Sequence, residues 1–345
     1  MPAFRIIIFA LLFSDAAHSV EFIEIGPQAW AAIQPIERRF NDCNSLIVEA
    51  AEFVIVVDAQ ESEDDVRQIS EFARDKIGKP VAYLINTHWH SDHTQGNTLY
   101  RETFGENLVI IGHTTHQEDI EDRAATYLSE RVDRLKQQIP EAQEQLDTGV
   151  KKDGSEYTSE ETAEEQRQID VARDWVAINE KVVFTGPSLA IDGQHAVLLD
   201  DASFVVHPMR GHTRGDLVVH FPKLDLVATG DLVDAMPYSG HGFPSEWLTS
   251  LGRIRGLGAS NYVPGHGPLL TNNLLIDELQ LYFSSLTEQV KAFLEDGKST
   301  DEIVSTIDLL DSRQGLAGSD EAAMRFFDRV QEEAIQRAIA ELSTD

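Results

Sequence analysis

The amino-acid sequence predicts an α/β protein. Short apolar runs of strand length recur in both halves of the chain, and amphipathic helical periods lie between and after them. The residues richest in ligand chemistry follow directly on the ends of the apolar runs.

Residues 22–58 carry short apolar runs broken by turn residues, with 45–48 and 53–57 flanking Glu49-Ala50-Ala51-Glu52 as a hairpin. This opening reads as antiparallel strands. From 63 to 76, Val66, Ile69 and Phe72 share one helical face, and Gly78-Lys79-Pro80 ends that helix. Residues 81–85 form a short buried strand that delivers the chain into Asn86-Thr87-His88-Trp89-His90-Ser91-Asp92-His93. A helix begins within 94–101, and 108–111 form another strand.

Between 117 and 180 the composition turns charged and helical. Leu128, Val132, Leu135 and Ile139 repeat at helical spacing before Pro140, a polar, glycine-bearing link covers 148–159, and a second helix covers 160–178. This helical hairpin is an insertion between strands that either packs on the body of the protein or covers the site. Strand patterns resume at 181–184, 196–199, 203–207, 217–221 and 226–229, each bounded by Gly, Pro or Asp. After Pro268 the chain is helical again. Ser299 and Glu302 form a capping box, and a last helix spans 319–342. These C-terminal helices dock on the core or join two copies of the chain in a homo-oligomer.

Composition narrows the partners. Asp and Glu number 59 against 28 Lys and Arg, a net charge of −31 that repels nucleic acid and anionic membrane surfaces, so the expected partner is a small molecule. The N-terminus reads as a cleaved secretory signal over 1–19: Arg5, an apolar run over 6–13, then Ala17-His18-Ser19. That run is far shorter than the roughly 20 residues that span a bilayer. The expectation is a periplasmic or secreted protein without a membrane anchor. Cys43 is the single cysteine and has no partner for an internal disulfide, so stability falls to the core and to metal.

The chemistry concentrates in His88, His90, Asp92 and His93, three imidazoles and a carboxylate within one loop. A lone histidine is more often a satisfied polar residue than a ligand. Four such groups together reverse that inference. Gly211-His212-Thr213, Thr229-Gly230-Asp231 and Pro264-Gly265-His266-Gly267 supply further ligand types after strand runs, with glycines that permit tight turns and close approach. Asp58 ends an apolar strand, where it either turns the chain or orients a ligand loop. His113, His116, Arg214, Tyr238 and His241 flank these segments and are candidate substrate contacts.

The pattern His-x-His-x-Asp-His, followed in order by a His, an Asp and a His, resembles the metallo-β-lactamase superfamily over about residues 22–270. The resemblance implies a four-layer αββα sandwich over 20–270, with the hairpin 117–180 and a C-terminal helical extension 271–345 outside it. It also implies two divalent metal ions, zinc by default, although imidazole and carboxylate also accept iron and manganese. One ion would sit on His88, His90 and His212, the other on Asp92, His93 and His266, with Asp231 bridging them. The implied activity is attack by a metal-bound hydroxide, oriented by Asp92, on a carbonyl or phosphorus centre. Asp92 and Asp231 are thus the catalytic candidates.

True β-lactamases of the superfamily carry Cys or Ser at the Asp231 position. The Cys-containing ones carry Lys three residues on, where this chain has Asp234. Asp at position 231 is typical of the thioesterase, lactonase and phosphodiesterase branches. An acid at 234 would repel an anionic β-lactam unless Arg210 or Arg214 replaced the missing clamp. The expected substrate is a cyclic amide or ester, β-lactams among them, with thioesters and phosphodiesters as alternatives. A di-iron redox protein and a non-catalytic metal-binding protein are the readings from other classes.

Overall fold

The computed structural model describes residues 19–40 and 42–343. The expected signal segment therefore lies outside the described residues, apart from Ser19. The chain divides into two compact units, Glu121–Phe184 and Ser19–Ile120 with Thr185–Asp345.

In the larger unit the first sheet opens with β1 (Glu21–Gly26), β2 (Ala29–Ile33), β3 (Ser45–Glu49) and β4 (Val54–Val57), all antiparallel. Helix α1 (Glu63–Glu71) is capped by Ser62 and runs on through a π-helical turn to Gly78, whose φ of 84° is open to glycine. β5 (Val81–Ile85) then pairs parallel to β4 and leads into α2 (Ser91–Thr94) and α3 (Asn97–Phe104). β6 (Val109–His113) continues the parallel half, followed by the short α4 (His116–Asp119).

The smaller unit is a helical hairpin, α5 (Ala125–Thr148) and α6 (Ser159–Asn179), with its own core of Leu128, Val132, Leu135, Ile139, Ile169 and Trp175. Helix α5 runs through Pro140 instead of ending there. The apolar contacts of Ile139 and Ala142 offset the backbone hydrogen bond that proline removes. The strand expected at 181–184 is absent. Val182 and Phe184 pack on the hairpin core, so this short apolar run serves a helical interface rather than a sheet.

Back in the larger unit, β7 (Leu189–Ile191) completes the first sheet, in the order β1-β2-β3-β4-β5-β6-β7. The second sheet contains β8 (His195–Val197), β9 (Phe204–Met209), β10 (Asp216–Phe221) and β11 (Leu226–Gly230), antiparallel to one another. Helix α7 (Pro244–Gly256) leads to β12 (Asn261–Pro264), which lies parallel to β11. Four helices finish the chain: α8 (Leu274–Glu295), α9 (Thr300–Thr306), α10 (Leu310–Ala317) and α11 (Glu321–Leu342). The capping box at Ser299 and Glu302 forms at the start of α9 as its residue types require.

Three apolar layers turn this order into an αββα sandwich. Leu46, Val48, Ile55 and Ile85 meet Phe204, Leu217, Val219 and Phe221 between the two sheets. The outer face of the first sheet packs Ile47, Val56 and Leu84 on Val66, Ile69 and Tyr100 of α1 and α3. The outer face of the second packs Val218, Val227 and Tyr262 on Trp247, Phe283, Phe327 and Ile335, from α7, α8 and α11. The C-terminal helices are therefore a layer of the sandwich itself, in one core with the sheet they cover. No helix among the described residues is long and apolar enough to cross a membrane.

Candidate metal centre

All the ligand-bearing turns leave the same edge of the sandwich. His88 to His93 follow β5, His212 follows β9, Asp231 follows β11 and His266 follows β12. Because β10 runs antiparallel to both β9 and β11, and β12 parallel to β11, the C-terminal ends of β9, β11 and β12 meet at one edge.

Two groups of ligand atoms form there. His88, His90, His212 and Asp231 make one, and Asp92, His93 and His266 the other, the atoms of each lying within 4.8 Å of one another. His212 Nε2 is 3.0 Å from His90 Nδ1 and 3.4 Å from Asp231 Oδ2. In the second group, Asp92 Oδ2 is 3.2 Å from His93 Nε2 and 3.1 Å from His266 Nε2. Asp231 reaches both, with Oδ2 facing His88 and His212 and Oδ1 at 3.2 Å from His93 Nε2.

Each histidine spends one ring nitrogen on the protein and turns the other to the centre. His93 Nδ1 donates to Asp58 (2.9 Å), His212 Nδ1 to the Tyr238 carbonyl (3.0 Å) and His266 Nδ1 to the Asp42 carbonyl (3.1 Å). His88 Nδ1 meets Thr87 Oγ1 at 3.1 Å, and His90 Nε2 meets His241 Nδ1 at 2.9 Å. Such outer partners fix tautomer and ring orientation at metal sites. Asp58 also accepts from Thr87 N and Oγ1 at 2.7 and 2.9 Å, so it orients the ligand loop as well as ending its strand.

These residues fit cations. His88 Nε2, His93 Nε2 and Asp231 Oδ1 are buried without a hydrogen-bond partner, a costly arrangement for polar atoms unless something in the centre answers them. Burial is the largest influence on His88, and it holds the imidazole neutral, the form that ligates. Burial also raises the Asp231 carboxyl, but His266 and His93 override it and keep the group ionised. Asp234 joins Asp231 and His266 within 4.8 Å, and burial, opposed by His266 and reinforced by Asp231, pushes it up to about 7.

Glycine is required where the loops close. A side chain at Gly265 would drive into the Asp231 carboxylate, and one at Gly230, whose φ is 53°, would strike Thr87. Asn44 fastens the same turn: its Nδ2 donates to the Pro264 and Gly267 carbonyls on either side of His266, at 3.0 and 2.9 Å.

The candidate substrate contacts separate. His241 and Tyr238 lie at the centre, with ring centroids 5.0 and 6.3 Å from that of His90. His116 is buried, its Nδ1 accepts from His113 N and its Nε2 donates to the Gly215 carbonyl at 2.6 Å, so both ring nitrogens are engaged within the protein. His113 Nδ1 accepts from Thr115 N at 3.2 Å. Arg214 is held by Glu118 (2.7 Å) and Asp119 (2.9 Å). Sequence reasoning passed over Trp89, whose ring lies 4.4 Å from His90 and 4.9 Å from His241, although its place inside the histidine motif was a signal. It also passed over Asn44 and the Asp42 carbonyl, for which no local pattern exists.

Fold and site together define a metallo-hydrolase architecture, with paired His/Asp clusters at one edge of an αββα sandwich. A sequence profile of the metallo-beta-lactamase superfamily matches residues 38–266, and the chain belongs to that superfamily, whose members bind divalent metals, typically zinc. Among solved structures it is similar to the metallo-beta-lactamase FIM-1 from Pseudomonas aeruginosa in its mono-zinc form. The identity is 19%, over 77% of this chain and 95% of that one, with a TM-score of 0.52. It is also similar to the stereoselective inverting sec-alkylsulfatase Pisa1 from Pseudomonas sp., at 13% identity, over 90% of this chain and 50% of that one, with a TM-score of 0.61. A metallo beta lactamase from Erythrobacter litoralis aligns at 16% identity over 77% and 96%, with a TM-score of 0.51. Identities this low speak to the fold alone. Among curated proteins no sequence matches the chain significantly.

Proposed function

We propose that this chain is an exported, dinuclear zinc hydrolase acting on a small carbonyl compound, a cyclic ester or amide. The observation that carries the reading is that His88 Nε2, His93 Nε2 and Asp231 Oδ1, atoms of the two adjoining ligand groups, are buried without a hydrogen-bond partner. Two divalent cations held there supply Lewis acidity to a substrate oxygen and acidify water toward neutral pKa.

The protein's own contribution is placement. Asp231 faces both histidine groups, with Oδ2 3.4 Å from His212 Nε2 and 3.5 Å from His266 Nε2 and Oδ1 3.2 Å from His93 Nε2, which favours holding both ions together. Asp92 is the more accessible carboxylate, with its side chain 19% exposed against 8% for Asp231, and it orients the attacking water. Tyr238 and His241 form the wall that a bound substrate meets, beside Trp89.

Charge selects within the class. Asp234 stands beside the centre, and the arginines flanking His212 are both engaged: Arg210 by Glu246 at 3.3 Å and by the ring of Phe243, Arg214 by its two acids. A substrate carboxylate or phosphate dianion finds no clamp in these arginines. A neutral lactone or lactam meets no such penalty.

The test is turnover by the zinc-loaded protein of a simple lactone, a chromogenic cephalosporin, a thioester and a bis-aryl phosphate. Metal-dependent cleavage of the lactone above the rest is expected. Preference for the phosphate would move the protein to phosphodiester chemistry, and no turnover of any member would overturn the hydrolase reading.

A further inference from the structure

The C-terminal helix α11 begins well beyond residue 266, where the family match ends, yet two side chains of its last turns hold the segment that lies beside the metal centre. Helix α7 starts without a side-chain cap of its own, because its N-cap residue is Phe243. Its first N–H groups therefore need an outside acceptor. Glu341 of α11 provides one: its carboxylate accepts from Ser245 N (2.9 Å), Ser245 Oγ (2.6 Å) and Glu246 N (3.4 Å). A carboxylate at this end also complements the helix dipole.

One turn earlier on α11, Arg337 Nε donates to the Gly242 carbonyl at 2.9 Å, and its guanidinium lies 5.2 Å from the ring centroid of Phe243. Arg210 covers the same ring at 3.8 Å. Residues 242–246 are thus fixed by α11. They also touch the centre on both sides. His241, immediately before them, meets His90 Nε2, and Phe243 N donates to the carbonyl of Gly211, the neighbour of His212, at 2.7 Å. Trp247, immediately after them, lies 5.4 Å from the His212 ring and donates from Nε1 to the Leu232 carbonyl beside Asp231 at 2.9 Å.

We propose that α11 is a positioning element of the metal centre: Arg337 and Glu341 hold residues 242–246, and through them set His241 and Trp247 against His90, His212 and the Asp231 turn. The two side chains touch no ligand themselves. They act on the outer partners of the ligands, whose loss costs metal affinity by about 10–100-fold in comparable sites. The buried stripe of Phe327, Val330, Ala334, Ile335, Ala338 and Ile339 keeps α11 docked when either polar side chain is shortened to alanine, a good helix former.

This inference rests on the metal-centre reading, so the wild-type chain is first titrated with zinc. No uptake overturns that reading and the inference together. With uptake established, Arg337→Ala, Glu341→Ala and the double variant are compared with Glu333→Ala, an exposed change on the same helix. Zinc release to an excess of chromogenic chelator and hydrogen exchange of residues 239–247 are followed in each. The double variant is expected to release zinc about 10-fold faster and to exchange faster in that segment, with Glu333→Ala unchanged. Release within two-fold of wild type, whatever happens to the melting temperature, would overturn the inference alone.

Discussion

The two halves of the metal centre are built by different means. The first sheet contributes His88, His90, Asp92 and His93 from a single loop after β5, whose geometry is set by Thr87 within it and by Asp58 at the end of the neighbouring strand β4. The second sheet contributes His212, Asp231 and His266 from three loops, which come together only when β9, β11 and β12 align and α7 and α11 pack behind them. The lesson is that one half is carried by a single loop braced on its neighbouring strand and the other by the assembly of distant loops. The first depends on one buried acid, the second on contacts spread over much of the chain.

The largest effect is expected where the halves meet. Asp231→Ala removes the carboxylate that faces both groups, so bound zinc and turnover should fall together, by more than the roughly 100-fold that bounds the loss of an outer partner. Retention of both metals would dissolve the idea of a joined centre. Within the local half, Asp58→Ala frees His93 Nδ1 and strips Thr87 of its acceptor, and a metal titration should show affinity down by about 10–100-fold.

A third change probes the link from α4 to the loop before β10. His116 is pushed by burial down to about 3, while an unfolded histidine titrates near 6.5. The folded state therefore refuses a proton that the unfolded state accepts, and stability is lost as pH falls from 6.5 toward 3. His116→Gln should flatten that part of the curve, seen as a smaller shift in denaturant midpoint between pH 7 and pH 4.5. An unchanged shift would show that acid sensitivity arises elsewhere. The smallest effect belongs to the distributed half: Trp247→Phe keeps an aromatic ring but loses the hydrogen bond to the Leu232 carbonyl and part of the buried indole volume, costing about 1–3 kcal/mol of stability in a denaturant titration.

The same contrast explains what could be read from the sequence. Strands 45–48, 53–57 and 81–85 announced themselves by apolar runs, and the histidine loop by its density of ligands. Helix α7 went unread, although Pro244 opens it and Trp247, Leu251 and Ile254 repeat at helical spacing, because the Gly- and Pro-bearing approach at 237–244 reads as loop. Val182 and Phe184 read as a strand because a short apolar run does not say which surface will cover it. The Asp42 carbonyl that holds His266 and the Asn44 side chain that fastens its turn lie more than two hundred residues away, which no local pattern carries.

The most direct test of the joined, dinuclear centre is the metal content of the purified chain, measured by elemental analysis for wild type and Asp231→Ala side by side. Two zinc ions per wild-type chain, falling to one or none in the variant, is the predicted result. A wild type without metal, or a variant that keeps both ions, would contradict it.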